Sequence, residues 1–161
     1  MSVPRPKFLS IWGNFKSIYA DGKVTSVGNK IGGKVKQNID LGVSDPNLGF
    51  TNACALRMSY ALNYSGMNIP RGSWKTVSGA DNKWYIFRVK DLLTYINHSL
   101  GKPDKVIKNP KPQDFSGLQG ILIFNVSWSD ATGHATLWDG QTCSDHCYFP
   151  EAQEASIWIL K

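Results

Sequence analysis

The sequence predicts an α+β fold in which helices pack on an antiparallel β-sheet. Three observations predict it. Apolar residues recur at helical spacing over much of the first 100 residues, and after the proline-rich stretch at Pro110 and Pro112 they fall into short β-branched runs. That order, helices first and sheet second, is the signature of an α+β arrangement. The 161 residues, 42% apolar and 12% aromatic, suffice for one globular core and hardly for two, so residues 1–161 are read as a single domain.

The elements follow in order. Phe8, Ile11, Trp12, Phe15, Ile18 and Tyr19 mark the apolar face of an N-terminal helix. From Asp21 to Gly49 glycine, asparagine and serine abound, which predicts loop with short extended pieces and a turn at Asp45-Pro46-Asn47. A second helix is expected from Thr51 to Tyr64, with Asn52 as its N-cap and Gly66 and Pro70 ending it. It is apolar on most sides and should run through the core. Val89, Leu92, Leu93, Ile96 and Leu100 form the face of a third helix over 89–100, stopped by Gly101 and Pro103. Gly120–Val126, His134–Trp138 and Ala155–Leu160 read as strands.

Charge and cysteines bound the function. A net charge of +6 and a pI near 9.3 favour acidic partners. The lysines are spread without a basic block, so a solvated surface fits better than a nucleic-acid stripe. No apolar run approaches the length that spans a bilayer, and Met1–Lys7 lacks the apolar stretch of a cleavable export signal. Cys143 and Cys147 are close enough in sequence to form a disulfide, which leaves Cys54 over.

Cys54 falls in the first turn of the second helix, where unpartnered N–H groups and the helix dipole favour a thiolate. The same N–H groups suit the oxyanion of a tetrahedral intermediate. The bland alternative is a small buried hydrophobe. His134, at the head of a strand after Gly133, supplies a base adjacent in space but distant in sequence. A third group must orient the imidazole, and Asp139 and Asp145 are both candidates. With Asp139-Gly140 as a two-residue hairpin turn, Trp138 pairs with Gln141 and His134 stands opposite Asp145. Asp145 is therefore the better candidate. One conflict remains: an extended segment separates the Cα atoms of Cys143 and Cys147 by about 13 Å, whereas a disulfide needs less than about 7 Å. A bridge would require a sharp bend around Asp145. Zinc is a rival for Cys143, His146 and Cys147, with Cys54, His134 or Asp145 as fourth ligand. The C-x2-H-C spacing is cramped and no second ligand pair or HExxH helix accompanies it. Trp74, Trp84 and Trp128 suit a substrate groove or the core equally well.

The segments Asn52-Ala53-Cys54-Ala55-Leu56-Arg57-Met58-Ser59-Tyr60-Ala61-Leu62-Asn63, Gly133-His134-Ala135-Thr136-Leu137-Trp138-Asp139-Gly140 and Cys143-Ser144-Asp145-His146-Cys147 resemble the type VI secretion amidase effectors of family 4. These are NlpC-like members of the papain superfamily. The resemblance implies a papain-like fold and a toxin that a type VI secretion apparatus injects into the periplasm of a target cell. There it would hydrolyse peptidoglycan stem peptides between D-glutamate and meso-diaminopimelate. By position, Cys54 would be the nucleophile, His134 the base and Asp145 the orienting acid. A Cys143–Cys147 bridge, no cofactor, and a cognate immunity protein that blocks the active site are implied as well. It leaves Asn52 and His146 without a role. Injection would reconcile the absent export signal with a periplasmic disulfide. A cysteine peptidase acting on proteins and a non-catalytic wall-binding module are the competing readings.

Overall fold

A computed structural model describes residues 5–50, 53–126 and 133–161. Helices pack on an antiparallel sheet, as the patterning predicts. Helix α1, Phe8–Tyr19, buries Phe8, Ile11, Phe15 and Ile18, the face its spacing marks.

The stretch expected to be loop contains two helices, α2 (Val24–Ile31) and α3 (Gly33–Ser44). Their polar composition conceals a seam: Val27, Ile31, Val35 and Ile39 stand four residues apart and are all buried. Burial of such a seam outweighs weak propensity. The helices are parted by Gly32, which like Gly33 at the start of α3 has a positive φ, and Gly28 lets them close, since a Cβ there would stand 3.3 Å from Ile39. The expected turn follows, with the Asn47 N–H donating to Asp45 Oδ1 (3.0 Å) and Leu48 N–H to the Asp45 carbonyl (2.9 Å).

Helix α4, Cys54–Asn63, buries every residue except Tyr60 and runs through the core. Two of its buried polar side chains, Ser59 and Asn63, anchor neighbours. Ser59 Oγ exchanges hydrogen bonds with the Ile86 N–H and carbonyl, and Asn63 donates to the Trp84 carbonyl. Both contacts fix a hairpin the sequence does not announce, β1 (Thr76–Ser78) and β2 (Trp84–Ile86). Helix α5 occupies Val89–Leu100, as expected.

The main sheet is four-stranded, with order β3-β6-β4-β5 and every pairing antiparallel: β3 Lys105–Lys108, β4 Gly120–Asn125, β5 Gly133–Trp138 and β6 Glu154–Ile159. β3 was not expected, and the proline-rich linker includes a 3-10 turn, Pro112–Phe115, that buries Phe115. One sheet face packs Ile121, Ile123, Ala135, Leu137 and Trp158 on α1, α4 and α5. The other packs Leu122, Phe124, Trp138 and Ile157 on Phe115 and Phe149. β5 is one of the two edge strands, with its outward backbone facing the start of α4 and the loop after Trp138.

Candidate active site

Cys54 opens α4. The cap position is Ala53, not Asn52 as expected, and no side chain among the described residues caps the helix; Asn52 itself lies outside them. The first hydrogen bond of the helix runs from Arg57 N–H to the Ala53 carbonyl (2.8 Å), so the N–H groups before it lie at the positive end of the dipole. Cys54 is 1% exposed.

The edge of β5 receives the sulfur. The Ala135 N–H donates to Cys54 Sγ at 2.8 Å, and Sγ as a thiol can donate to the Ala135 carbonyl at 3.3 Å. Two residues further on, Leu137 N–H donates to Ser144 Oγ (3.1 Å) and its carbonyl accepts from Ser144 N–H (2.8 Å). The strand's open edge is thus covered by a helix start and a loop rather than by another strand.

His134 precedes Ala135 and lies on the opposite face. Its side chain is 8% exposed, and Nε2 stands 3.0 Å from Asp145 Oδ2. The contact has the distance of an ion pair, although Nε2 makes no hydrogen bond of standard geometry. A second interaction joins His134 to the Cys54 sulfur. With Nε2 turned to the carboxylate, Nδ1 is the nitrogen left for it. Burial pulls the imidazole pKa down, but the charge of Cys54, the Asp145 contact and the Asp145 charge together push it up to about 10. The ring is therefore held as imidazolium at neutral pH. Tyr148 packs edge-on against it, with centroids 4.7 Å apart.

Asp145 has a side chain only 2% exposed. Burial opposes its ionisation, but the His134 contact and charge, Thr136 Oγ1 (2.5 Å) and the His146 N–H (2.6 Å) outweigh that and lower its pKa. The hairpin count that selects Asp145 needs correction. Trp138 pairs with Cys143 and Asp139 N–H donates to Thr142, so Gly140 and Gln141 form the turn. Asp145 consequently falls opposite Thr136, not His134. A register shift of this kind keeps the residue on the same face, because side chains alternate with period two. Thr136 and His134 share that face, and the carboxylate reaches both.

The bend that the sequence required is present. Cys143 and Cys147 form a disulfide with Cα atoms 5.5 Å apart, which closes the loop bearing Asp145. Both thiols are thereby bonded to each other, in conflict with the zinc alternative, and no cluster among the described residues is suited to a metal. Asp139 stays in the turn, accepting from Gln141 N–H, Thr142 N–H and Thr142 Oγ1. His146 contributes its N–H, while its ring lies against Tyr148. Trp74 is core, donating to the Pro70 carbonyl; Trp84 lines a surface pocket; Trp128 lies outside the described residues. Sequence reasoning missed Thr136, Ser144 and Tyr148. Thr136 was accessible in principle, being two residues from His134 on one strand face, whereas Tyr148 reaches the ring only through the bend.

Comparison with known proteins bears on this geometry. The profile of the family described as type VI secretion system (T6SS) amidase effector protein 4, Tae4, matches residues 50–159. No curated protein matches. The type VI effector Tae4 from Enterobacter cloacae is 46% identical over the whole of both chains, with a TM-score of 0.89. The Tae4-Tai4 effector-immunity complex from the same organism is similar at 44% identity, covering 98% of this chain and all of that one, TM-score 0.89. The effector Tae4 from Salmonella typhimurium, in complex with the immunity Tai4 from Enterobacter cloacae, matches at 42% identity with the same coverage and TM-score.

Proposed function

The chain belongs to the type VI secretion system amidase effector 4 family, and from that premise we propose that it hydrolyses peptidoglycan stem peptides between D-glutamate and meso-diaminopimelate. One observation carries the mechanism: a buried imidazole lies between a helix-start thiol and a buried carboxylate. Cys54 as thiolate attacks the γ-carbonyl of D-glutamate, and the oxyanion meets the N–H groups at the start of α4. His134 protonates the leaving amine of diaminopimelate. Water, deprotonated by His134, then releases the acyl group from the sulfur. Asp145 holds the ring orientation and the imidazolium charge. The 161 residues act as one amidase domain, and the reaction needs no cofactor.

The effector is delivered by the type VI apparatus and acts in the target periplasm, where the Cys143–Cys147 bridge is stable. Among the described residues no helix is long and apolar enough to cross a membrane. Tae4 relatives are found in complex with the immunity protein Tai4, and a cognate immunity protein is expected to block this active site likewise.

The test is digestion of purified sacculi followed by mass analysis of the muropeptides. Fragments ending in a free D-glutamate γ-carboxylate are expected, and Cys54→Ala should abolish them with the thermal transition nearly unchanged. Killing from the cytoplasm without new muropeptides would favour a protein-directed peptidase instead.

A further inference from the structure

We propose that the pocket between α3 and the β1–β2 hairpin is a binding site for carboxylates of the stem peptide, a reading that rests on the amidase function above. The pocket holds about 570 Å³, within the usual range of ligand sites. Lys34 of α3 and Arg71 and Lys75 ahead of β1 line it, together with Thr76, Trp84 and Phe87. The Arg71 guanidinium lies over the Trp84 ring, 5.2 Å from its centroid, which preorganises its flat donor edge.

Three cations line this pocket with no counter-charge among the described residues. Of those residues no carboxylate lines it, and none of the three bases forms an ion pair with any of them. Asp81, the only acid between Pro46 and Lys90, is engaged elsewhere by the hydroxyls of Tyr64 and Tyr85, each at 2.6 Å. A pocket of uncompensated positive charge favours an anion, and the planar guanidinium suits a carboxylate.

Phe87 joins the pocket wall to the chain that leads into α4. Its ring stacks on Phe50, four residues before Cys54, at 4.6 Å. Ile86 beside it is bonded to Ser59 of α4. Two residues beyond, Val89 abuts Gly133, the neighbour of His134, since a Cβ on Gly133 would stand 3.3 Å from Val89 Cγ1. A stem peptide with its scissile carbonyl at Cys54 has anions on both sides of that bond: the free α-carboxylate of γ-linked D-glutamate and the free side-chain carboxylate of diaminopimelate. The aromatic wall accommodates the intervening aliphatic carbons.

The experiment is titration calorimetry with a purified disaccharide-tetrapeptide, in free-acid and in carboxamide form. The protein is Cys54→Ala, with and without the added pair Arg71→Gln and Lys75→Gln, both exposed positions. The expected result is about 10-fold or greater weakening by the pair for the free acid, from loss of charge-assisted contacts, and no such loss for the carboxamide. Equal affinities with and without the pair, or equal losses for both ligands, would overturn the site, as would no binding to Cys54→Ala at all. Hydrolysis of sacculi by the wild-type chain tests the amidase reading separately, so the two can fail independently.

Discussion

Two aspartates six residues apart on one hairpin have opposite surroundings. Asp139 sits in the turn, where two backbone N–H groups and a threonine hydroxyl saturate an exposed carboxylate. Asp145 sits past the turn, where a disulfide folds the chain back and buries its side chain against His134 and Thr136. Both carboxyls are held below their ordinary pKa. For Asp139, burial works against several local hydrogen bonds that serve the turn itself. For Asp145, a larger burial penalty is offset first by the imidazole. A lowered pKa alone therefore does not mark a working carboxylate; its partner does.

The largest effect that would separate the two is on turnover. Asp145→Ala is expected to lower kcat on muropeptides by about 10⁴-fold, the scale of losing the orienting acid in related triads. Comparable losses from Asp139→Ala would erase the distinction.

The charged pair also sets a stability window. Protonated His134 is favoured in the folded chain, so its contribution is complete below the ordinary 6.5 and fades as the pH rises through about 10. Ionised Asp145 contributes above its ordinary 3.8, and that contribution is lost as the pH falls through its depressed folded value. Thermal melts across pH should show a plateau between these limits, and Asp145→Ala should flatten the alkaline shoulder. An unchanged shoulder would detach His134 from Asp145.

Cys143→Ser probes the bend between the two regions. Opening so short a ring should cost about 2 kcal/mol or less, yet displace Asp145 enough to lower kcat about 10- to 100-fold. A variant that loses stability but keeps full activity would show that the bridge does not position the carboxylate. The smallest effect belongs to Asp139→Ala, with activity within about two-fold and a loss near 1 kcal/mol from the turn's hydrogen bonds, read as a fall of about 2–4 °C in Tm.

Legibility in the sequence varied for physical reasons. Helix α5 was readable to the residue because an apolar face and a glycine stop coincide at Val89–Leu100 and Gly101. Helices α2 and α3 were not, because their single apolar seam lies within glycine- and lysine-rich segments whose propensity argues for loop. Strands β1 and β2 are three residues each, too short for a periodic signal, and depend on Ser59 and Asn63 of another element. The proximity of Asp145 to His134 emerged from a register that was itself displaced. It survived because the displacement preserved the strand face, and because the bend, implied by the cysteine spacing, brings the carboxylate in. Tyr148 had no comparable signal, since its contact with His134 exists only in three dimensions.

The central claim is that His134 is held charged between the Cys54 sulfur and the Asp145 carboxylate. NMR titration of its ring, in the intact protein and in Cys54→Ala, measures this directly. The imidazole should titrate near pH 10 in the intact chain and at a clearly lower pH once the sulfur is removed. Titration near 6.5 in both proteins, insensitive to Cys54, would contradict the account.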